Sequence, residues 1–190
     1  AWRGKCEFEL KNYEEAIPFF DLALEIEDNS DFYTWRGRCE FELKKYEDAI
    51  IFLDKAIYLV KGESECFFYR GMCEFELKNY KKAIKFFERR LKFNNLTDAE
   101  IDLTNEKIQV CKKEIEKIKK RGNFKKKADT LFQQKKYKEA IPFFDKAIEL
   151  GASGLDYHWR GKCEFELKNY EEAIPFFDKQ IETGRDGNDY

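Results

Sequence analysis

The stretch from Trp2 to Asp21 reads WRGKCEFELKNYEEAIPFFD, and the same twenty letters recur from Trp159 to Asp178. Looser copies of this stretch begin at Trp35, Tyr69 and Lys126. Each copy has a small residue near its start, and successive small residues are 33, 34, 57 and 33 positions apart. These small residues are Gly4, Gly37, Gly71, Ala128 and Gly161. The chain therefore consists of five repeats, with about 23 extra residues between the third and the fourth.

Each repeat has a second regular feature, an alanine twelve residues after the small residue and a large apolar residue four positions later. These residues are Ala16 and Phe20, Ala49 and Leu53, Ala83 and Phe87, Ala140 and Phe144, and Ala173 and Phe177. A spacing of four puts each pair on one face of a helix. The preceding Lys-Asn-Tyr or Lys-Lys-Tyr predicts a turn, in which Asn12, Asn79 and Asn169 are suited to cap the second helix. Each repeat is thus expected to be a hairpin of two helices.

A period near 34 residues with a helix-turn-helix pattern resembles the tetratricopeptide-repeat family. The resemblance covers about 165 of the 190 residues. It implies an all-α fold, an α-solenoid of five helical hairpins with one extra long helix inserted between repeats three and four. It also implies a protein-protein interaction scaffold that is not an enzyme, with the first helices of the repeats lining a concave groove.

Two positions that are apolar in the family are charged in this chain. An arginine precedes the small residue and a glutamate follows it by three positions, which gives the pairs Arg3–Glu7, Arg36–Glu40, Arg70–Glu74 and Arg160–Glu164. The fourth repeat has Lys127 and Leu131 instead. Because the residues of a pair are four apart, they share a helix face, and we expect the pairs of neighbouring repeats to stack into an inter-repeat ladder. The alternative is that these charges are simply solvated.

The extra segment has the signals of a separate helix. Thr97 and Glu100 form a capping-box pattern, and Lys119 to Gly122 is typical of a helix end. An apolar side, expected to lie on the second helix of repeat three, is formed by Ile101, Ile108, Cys111, Ile115 and Ile118. The sequence predicts a three-repeat block over residues 1–96, a spacer helix over 97–122, and a two-repeat block over 123–190 that includes the start of a sixth repeat.

The candidate binding residues lie on the first helices. The resemblance places one aromatic residue of each repeat on the groove side, namely Phe8, Phe41, Phe75, Phe132 and Phe165. The position after the small residue is occupied by Lys5, Arg38, Met72, Asp129 and Lys162. An aromatic stripe bordered by Lys5, Arg38 and Lys162 would suit an extended peptide or a partner helix. The alternative is that the rings belong to the core. Family members that capture the C-terminal carboxylate of a chaperone need an asparagine after the small residue, and its absence here predicts a different partner.

Other classes of function find little support in the sequence. No phosphate loop, zinc-protease motif or nucleophile–base arrangement predicts a catalytic, cofactor or metal site, or a small-molecule substrate. The six cysteines include no CxxC pair, and four of them, Cys6, Cys39, Cys73 and Cys163, recur once per repeat, which is typical of small buried residues. A net charge of −2 argues against nucleic acid, although residues 112–138 contain 12 basic and 3 acidic side chains. No stretch has the length of apolar residues needed to span a membrane.

The two ends of the sequence match one another. Gly184, Gly187, Asp189 and Tyr190 reproduce Gly151, Gly154, Asp156 and Tyr157, so that Tyr190 is in phase to be followed by Ala1. This register predicts an alternative function, a self-assembling structural subunit of a helical filament or tube in which copies stack head to tail. The partner is then either another protein or peptide, or copies of the chain itself. Within each copy, we expect Trp2, Trp35 and Trp159 to pack near Cys6, Cys39 and Cys163.

Overall fold

The computed structural model describes residues 1–59 and 64–186, and every regular element within these ranges is a helix. The helices are α1 (Trp2–Glu9), α2 (Tyr13–Ile26), α3 (Ser30–Glu42), α4 (Tyr46–Leu59), α5 (Ser64–Glu76), α6 (Tyr80–Arg90), α7 (Asp98–Gln133), α8 (Tyr137–Glu149), α9 (Gly154–Glu166) and α10 (Tyr170–Asp186). The predicted all-α fold of stacked hairpins is confirmed. Part of the predicted sixth repeat, Gly187, Asp189 and Tyr190, lies outside the described residues.

The helices are grouped into two compact units, Ala1–Glu114 and Ile115–Tyr190, which we call the N-terminal and C-terminal units. The N-terminal unit contains the hairpins α1–α2, α3–α4 and α5–α6 together with the first part of α7. The C-terminal unit contains the rest of α7, which pairs with α8, and the hairpin α9–α10. The predicted division into blocks at residues 1–96, 97–122 and 123–190 stays a prediction.

Each hairpin turn is made by a lysine in the left-handed backbone conformation. The five lysines have φ between 59° and 66°, and they are Lys11, Lys44, Lys78, Lys135 and Lys168. The N–H of the next residue reaches back over the turn, as from Asn12 to the carbonyl oxygen of Glu7 at 2.9 Å. This pattern closes the end of the first helix by satisfying its last carbonyl groups.

Two of the three asparagines in these turns, Asn12 and Asn79, do not cap the second helix through their side chains as predicted. Asn12 and Asn79 stand at the N-caps of α2 and α6, but their side chains make no capping hydrogen bond. Instead, Asn12 Nδ2 donates to Glu7 Oε2 at 3.0 Å, and Asn169 Nδ2 donates to Glu164 Oε2 at 2.8 Å. The carboxylate five residues earlier is a charged acceptor, and its hydrogen bond orients the amides of Asn12 and Asn169 toward the first helix of the hairpin.

The small residue of each repeat allows the two helices of a hairpin to approach closely. A Cβ on Gly71 would lie 2.6 Å from Cε1 of Phe87, and one on Gly37 would lie 2.8 Å from Cγ of Leu53. Both large side chains are fully buried. Glycine is therefore required for packing at these two positions.

The extra segment and the first helix of repeat four form one helix, α7, of 36 residues. Its start is the predicted capping box: the Thr97 N–H donates to Glu100 Oε2 at 2.9 Å, and the Glu100 N–H donates to Thr97 Oγ1 at 3.3 Å. The predicted helix end at Gly122 is wrong. A single glycine costs a helix about 1 kcal/mol, which the helix-forming residues on both sides outweigh.

The apolar side of α7 is buried over only part of its length. Ile108 and Cys111 pack against Ala83 and Phe87 of α6, as predicted. Ile118, however, is 56% exposed, so its predicted burial is wrong. The 3-4 spacing of apolar residues therefore continues beyond the part of the helix that packs on α6.

The tryptophan prediction holds for two repeats of three. Trp35 packs on the cluster that contains Phe8, Phe20 and Cys39, and Trp159 packs on the cluster that contains Cys163. Trp2 is 80% exposed and Cys6 is also exposed, so the prediction is wrong there. Trp35 and Trp159 lie against a preceding hairpin, whereas α1 has no such neighbour among the described residues of its unit.

The buried cysteines have no reactive character. Cys39, Cys73 and Cys163 form no disulfide bond. Burial raises the pKa of Cys39, Cys73 and Cys163 to about 12. These thiols stay protonated near neutral pH and act as small apolar side chains.

Candidate protein-binding groove

The first helices of the N-terminal unit line a groove of about 460 Å³. Its walls come from α1, α3, α5 and the start of α7, and the lining residues are Lys5, Asp31, Thr34, Trp35, Ser64, Glu65, Asn95 and Glu100. Most of this lining is polar, and Trp35 supplies an aromatic ring. Of the residues predicted for the groove, Lys5 is among those that line it.

The two cations of this unit that follow the small residue are stacked on aromatic rings. The Arg38 guanidinium carbon lies 4.0 Å from the ring centre of Trp35, 4.6 Å from that of Phe8 and 4.9 Å from that of Tyr69. Lys5 Nζ lies 5.1 Å from the centre of Trp35. These are distances at which a cation is attracted to the ring face. The sequence predicted charges beside the rings, and the structure places them over the rings.

The predicted aromatic stripe is largely covered. Phe8 is only 8% exposed and belongs to the core, so its predicted place on an open stripe is wrong. Phe41, Phe75 and Phe132 are half-buried, and among the described rings of the stripe Phe165 is the exposed one, at 52%. Each ring contacts the tyrosine that opens the second helix of its own hairpin, as Phe8 does with Tyr13 at 5.1 Å between ring centres. The role of the four other rings in binding a partner stays a prediction.

Two ion pairs at the groove have the same orientation. Arg38 Nη1 lies 3.0 Å from Glu65 Oε1, with the arginine side chain 12% and the glutamate side chain 48% exposed. Arg90 Nη2 lies 3.1 Å from Glu100 Oε1, with 5% and 42% exposure. Hydrogen bonds from Thr97, and then the charge of Arg90, hold the pKa of Glu100 below its usual range. In both pairs the arginine is the more buried partner and the carboxylate reaches solvent.

The predicted charged pairs lie at the contacts between hairpins. Arg36 Nη1 donates to Glu40 Oε1 at 2.5 Å, and its Nε donates to Asp21 Oδ1 at 2.7 Å. The same three-residue arrangement occurs at Arg70, with Glu74 and Asp54, and at Arg160, with Glu164 and Asp145. Among the described residues, no ion pair joins the pair of one repeat to the pair of the next. The link between hairpins is made instead by an aspartate on the preceding second helix.

Sequence reasoning missed this aspartate, although the signal was present. Asp21, Asp54, Asp145 and Asp178 each follow the large apolar residue of the second helix. Such an aspartate stands 15 or 16 residues before the arginine that it meets. A pairing between two hairpins can be recognised in the sequence only when the order of helix packing is already known.

The remaining members of the charged set are placed differently. The Arg3 side chain is 75% exposed, and its Nε lies 3.9 Å from Glu7 Oε1. In the fourth repeat, Lys127 Nζ lies 4.4 Å from the ring centre of Phe143, and Leu131 packs on the core. The pattern of buried arginines is therefore interrupted in the fourth repeat.

The C-terminal unit has its own stacked cation and a buried carboxylate. Lys162 Nζ lies 5.1 Å from the ring centre of Trp159 and 5.7 Å from that of Phe132. Asp156 is fully buried and accepts hydrogen bonds from Arg121 and from the N–H and hydroxyl of Ser153, the latter two at 2.9 Å. Burial alone would raise the pKa of Asp156, but these hydrogen bonds hold it below the usual range. The Ser153-x-x-Asp156 spacing was the available signal for this cap.

Comparison with known families matches most of the chain. Residues 126–150 and 157–183 match the family described as tetratricopeptide repeat, and residues 9–90 match the family described as anaphase-promoting complex, cyclosome, subunit 3. These matches support the expected relationship to the tetratricopeptide-repeat family. Comparison with curated protein sequences gives no significant match.

Solved structures with the same fold include several tetratricopeptide-repeat domains. The TPR2AB domain of yeast Sti1, in a pHSP90 complex, has a TM-score of 0.52 and 21% identity, covering 95% of this chain and 74% of that chain. The Sgt2 TPR domain from Aspergillus fumigatus has a TM-score of 0.55 and 22% identity, covering 62% and 77%. YrrB, described as a TPR protein with an unusual peptide-binding site, has a TM-score of 0.50 and 19% identity, covering 96% and 84%. At these identities the likeness shows the fold alone.

Within residues 1–59 and 64–186, no helix combines the length and the apolar character that a membrane-spanning segment needs. In the same ranges, no group of three or more His, Cys, Asp or Glu side chains is arranged to hold a metal ion.

Proposed function

We propose that this chain is a non-enzymatic scaffold whose groove in the N-terminal unit binds an extended segment of a partner protein. The observation that carries the proposal is the groove itself, which is lined by side chains from the first helices of successive hairpins. Tetratricopeptide-repeat arrays use such concave surfaces to bind other proteins. Trp35 offers apolar area to a ligand, and the surrounding polar groups can fix its register.

The nature of the groove argues for a protein segment over a small molecule. The groove is open and polar, whereas sites for small molecules are mostly enclosed and apolar. The residues after the small residue in this unit are Lys5, Arg38 and Met72, and none is the asparagine that the family resemblance associates with chaperone binding. We therefore propose a partner other than a chaperone C-terminus, although the yeast Sti1 structure is that of a pHSP90 complex.

A substitution that fills the groove with a bulky side chain tests whether the groove binds the partner. Peptides selected on the chain from a displayed random library are titrated against three proteins, wild type, Lys5→Trp and Glu47→Trp. Lys5 lines the groove, whereas Glu47 is exposed on α4. We expect at least a roughly tenfold loss of affinity for Lys5→Trp and little change for Glu47→Trp, because a bulky ring in the groove excludes the peptide. Equal losses in both variants would refute the groove as the binding site.

A second candidate function is head-to-tail association of copies as a structural subunit. One observation favours it: Trp2–Asp21 and Trp159–Asp178 are identical, yet Arg160 is buried against Asp145 while the Arg3 side chain is 75% exposed. Asp178, the equivalent of Asp145 on α10, is also exposed. Because α1 has the sequence of the corresponding part of α9, its exposed face could pack on a helix with the sequence of α8. The sequence of α10 matches that of α8 over residues 137–149 at all but two positions. One of these two differences is Gln180, which stands where α8 has the buried Ala147.

Charge reversal tests this second candidate. Sedimentation velocity would compare wild type, Arg3→Asp, Asp178→Arg and the variant that carries both changes. Head-to-tail association predicts that wild type forms a concentration-dependent series, that each single variant is dissociated by like-charge repulsion, and that the double variant associates again. A wild-type monomer at every concentration would exclude it.

A further inference from the structure

We infer that the groove of the N-terminal unit selects a partner segment that carries positive charge, with lysine or arginine side chains directed at its carboxylates. This inference rests on the proposed function and adds the chemistry of the ligand. It commits to one occupant, an extended basic segment of another protein.

The first argument is the direction of the two ion pairs. In Arg38–Glu65 and Arg90–Glu100 the arginine side chains are 12% and 5% exposed, whereas the glutamate side chains are 48% and 42% exposed. Each pair is neutral in sum, but its negative end faces the groove. A ligand in the groove is therefore closer to the carboxylates than to the guanidinium groups, and the Coulomb energy depends on distance.

The second argument is Asp31, which adds a negative charge to the same lining. It stands in the first turn of α3, and no ion pair to its carboxylate occurs among the described residues. Glu65 and Glu100 likewise stand in the first turns of α5 and α7. All three carboxylates offset the partial positive charge of these helix starts, which would otherwise favour an anion.

The third argument is that the groove already attracts a cation. Lys5 Nζ lies 5.1 Å from the ring centre of Trp35, and both residues line the groove. An indole face bordered by carboxylates is a favourable environment for an ammonium or guanidinium group. The Lys5 charge opposes a basic ligand, however, so removing it should strengthen binding.

The test uses the full chain and two synthetic probes, an acetylated octapeptide with four lysines and four alternating serines, and its counterpart with four glutamates. Binding is measured by isothermal titration calorimetry. We expect the lysine peptide to bind at least roughly tenfold more tightly than the glutamate peptide. Equal affinity, a preference for glutamate, or no binding of the lysine peptide at millimolar concentration would overturn the inference.

Matched variants test whether the preference for the lysine peptide arises from residues of the groove. Asp31→Lys should weaken the lysine peptide roughly tenfold, whereas Asp48→Lys, the same change in the first turn of α4 outside the groove, should change its affinity less than about twofold. Lys5→Gln should strengthen binding of the lysine peptide about threefold. Similar effects of Asp31→Lys and Asp48→Lys would mean that only net charge matters, and the inference would fail.

The failure of this inference can be told apart from failure of the proposed function. If the selected library peptides are acidic but still lose affinity in Lys5→Trp, the groove binds proteins and only the sign of the ligand is wrong. If Lys5→Trp has no effect on any peptide, the groove is not the binding site and both proposals fall.

Discussion

At the scale of single residues, Arg36, Arg70 and Arg160 show how a charge is accommodated between helices. Each guanidinium group donates to a carboxylate of its own helix and to an aspartate of the preceding one. Each also lies over a phenylalanine ring, at 4.3 to 4.5 Å from the ring centre. The buried charge is thus paired on two sides and stacked on a third, which compensates for its loss of water.

The identical hairpins allow this arrangement to be tested with one substitution in two environments. Arg160→Ala leaves Glu164 buried without its charged partner and should lower the free energy of unfolding by about 3 kcal/mol. Arg3→Ala removes an exposed side chain with a 3.9 Å contact and should cost less than about 0.5 kcal/mol. Urea denaturation measures both. Equal losses would show that the paired geometry contributes nothing beyond the side chain itself.

The pH dependence of stability should depend on Glu164. Burial alone would raise its pKa, but hydrogen bonds from Asn169 and Arg160 lower it from the ordinary value of 4.5. Because the pKa of Glu164 is lower in the folded state than in the unfolded state, its ionised form stabilises the fold. This stabilisation is complete when the pH is above the pKa of the unfolded state, and it is lost as the pH falls through the pKa of the folded state. Asn169→Ala should therefore shift the acid-induced loss of stability to higher pH.

Urea midpoints recorded from neutral to acidic pH would show this shift. Asn12→Ala is the matched control, because Asn12 donates to Glu7 in the hairpin with the same sequence. Glu7 is less buried than Glu164, so Asn12→Ala should change the urea midpoint less than Asn169→Ala does. Parallel pH profiles for wild type and Asn169→Ala would contradict the assignment.

At the scale of elements, the turns and the long helix carry features that cost stability. A non-glycine residue in the left-handed conformation is strained by its Cβ, and all five turns have a lysine there. In α7, Gly122 stands inside a continuous helix, and a Cβ built on it would meet no atom within 4 Å. Both features can be relieved without disturbing packing.

Lys78→Gly should raise the free energy of unfolding by up to about 1 kcal/mol, because glycine adopts φ near 60° without a steric penalty. The same substitution at Lys85, inside α6, should lower it by about 1 kcal/mol, since glycine weakens a helix. Thermal unfolding followed by circular dichroism distinguishes the two. A loss of stability in both variants would mean that the lysine side chain matters more than the backbone strain.

Gly122→Ala should stabilise α7 by about 1 kcal/mol through helix propensity. Gly71→Ala should instead destabilise the chain, because the new Cβ would lie 2.6 Å from Cε1 of Phe87. Far-ultraviolet circular dichroism during urea unfolding reports both changes. If Gly122→Ala were destabilising, α7 would not be a continuous helix at that residue.

At the scale of the whole molecule, stability should be local. The chain comprises two compact units, and in a repeat array each hairpin contacts mainly its neighbours. The effect of a substitution should therefore decay over a few helices. A destabilised hairpin can open while a distant one stays folded.

Hydrogen exchange followed by mass spectrometry would reveal this behaviour. Arg160→Ala should increase amide exchange in α8, α9 and α10, which adjoin the substituted contact, and leave α1 to α4 of the other unit as in wild type. Arg70→Ala should do the reverse, with the increase confined to the N-terminal unit. A uniform increase over all helices would show that the chain unfolds as a single cooperative body.

Local chemistry was sufficient to predict the repeats, the hairpins, their turns and the capping box at Thr97. These features depend on residues within a few positions of one another: the 3-4 spacing of apolar side chains, the pairing of Arg36 with Glu40, and the small residues that let helices approach. For the candidate groove, the sequence indicated the first helices and Lys5. The sequence alone was thus sufficient to recognise each helical hairpin.

Only the tertiary structure decided what covers each residue. Trp2 and Trp159 have the same neighbours in sequence, yet Trp2 is 80% exposed while Trp159 packs on the core, because only the latter has a hairpin before it in the structure. Packing between helices also buries Phe8, which the sequence placed in the groove. It brings Asp21 of one hairpin next to Arg36 of the following one. Burial and ion pairing across helices depend on which surfaces meet, and local sequence does not specify that.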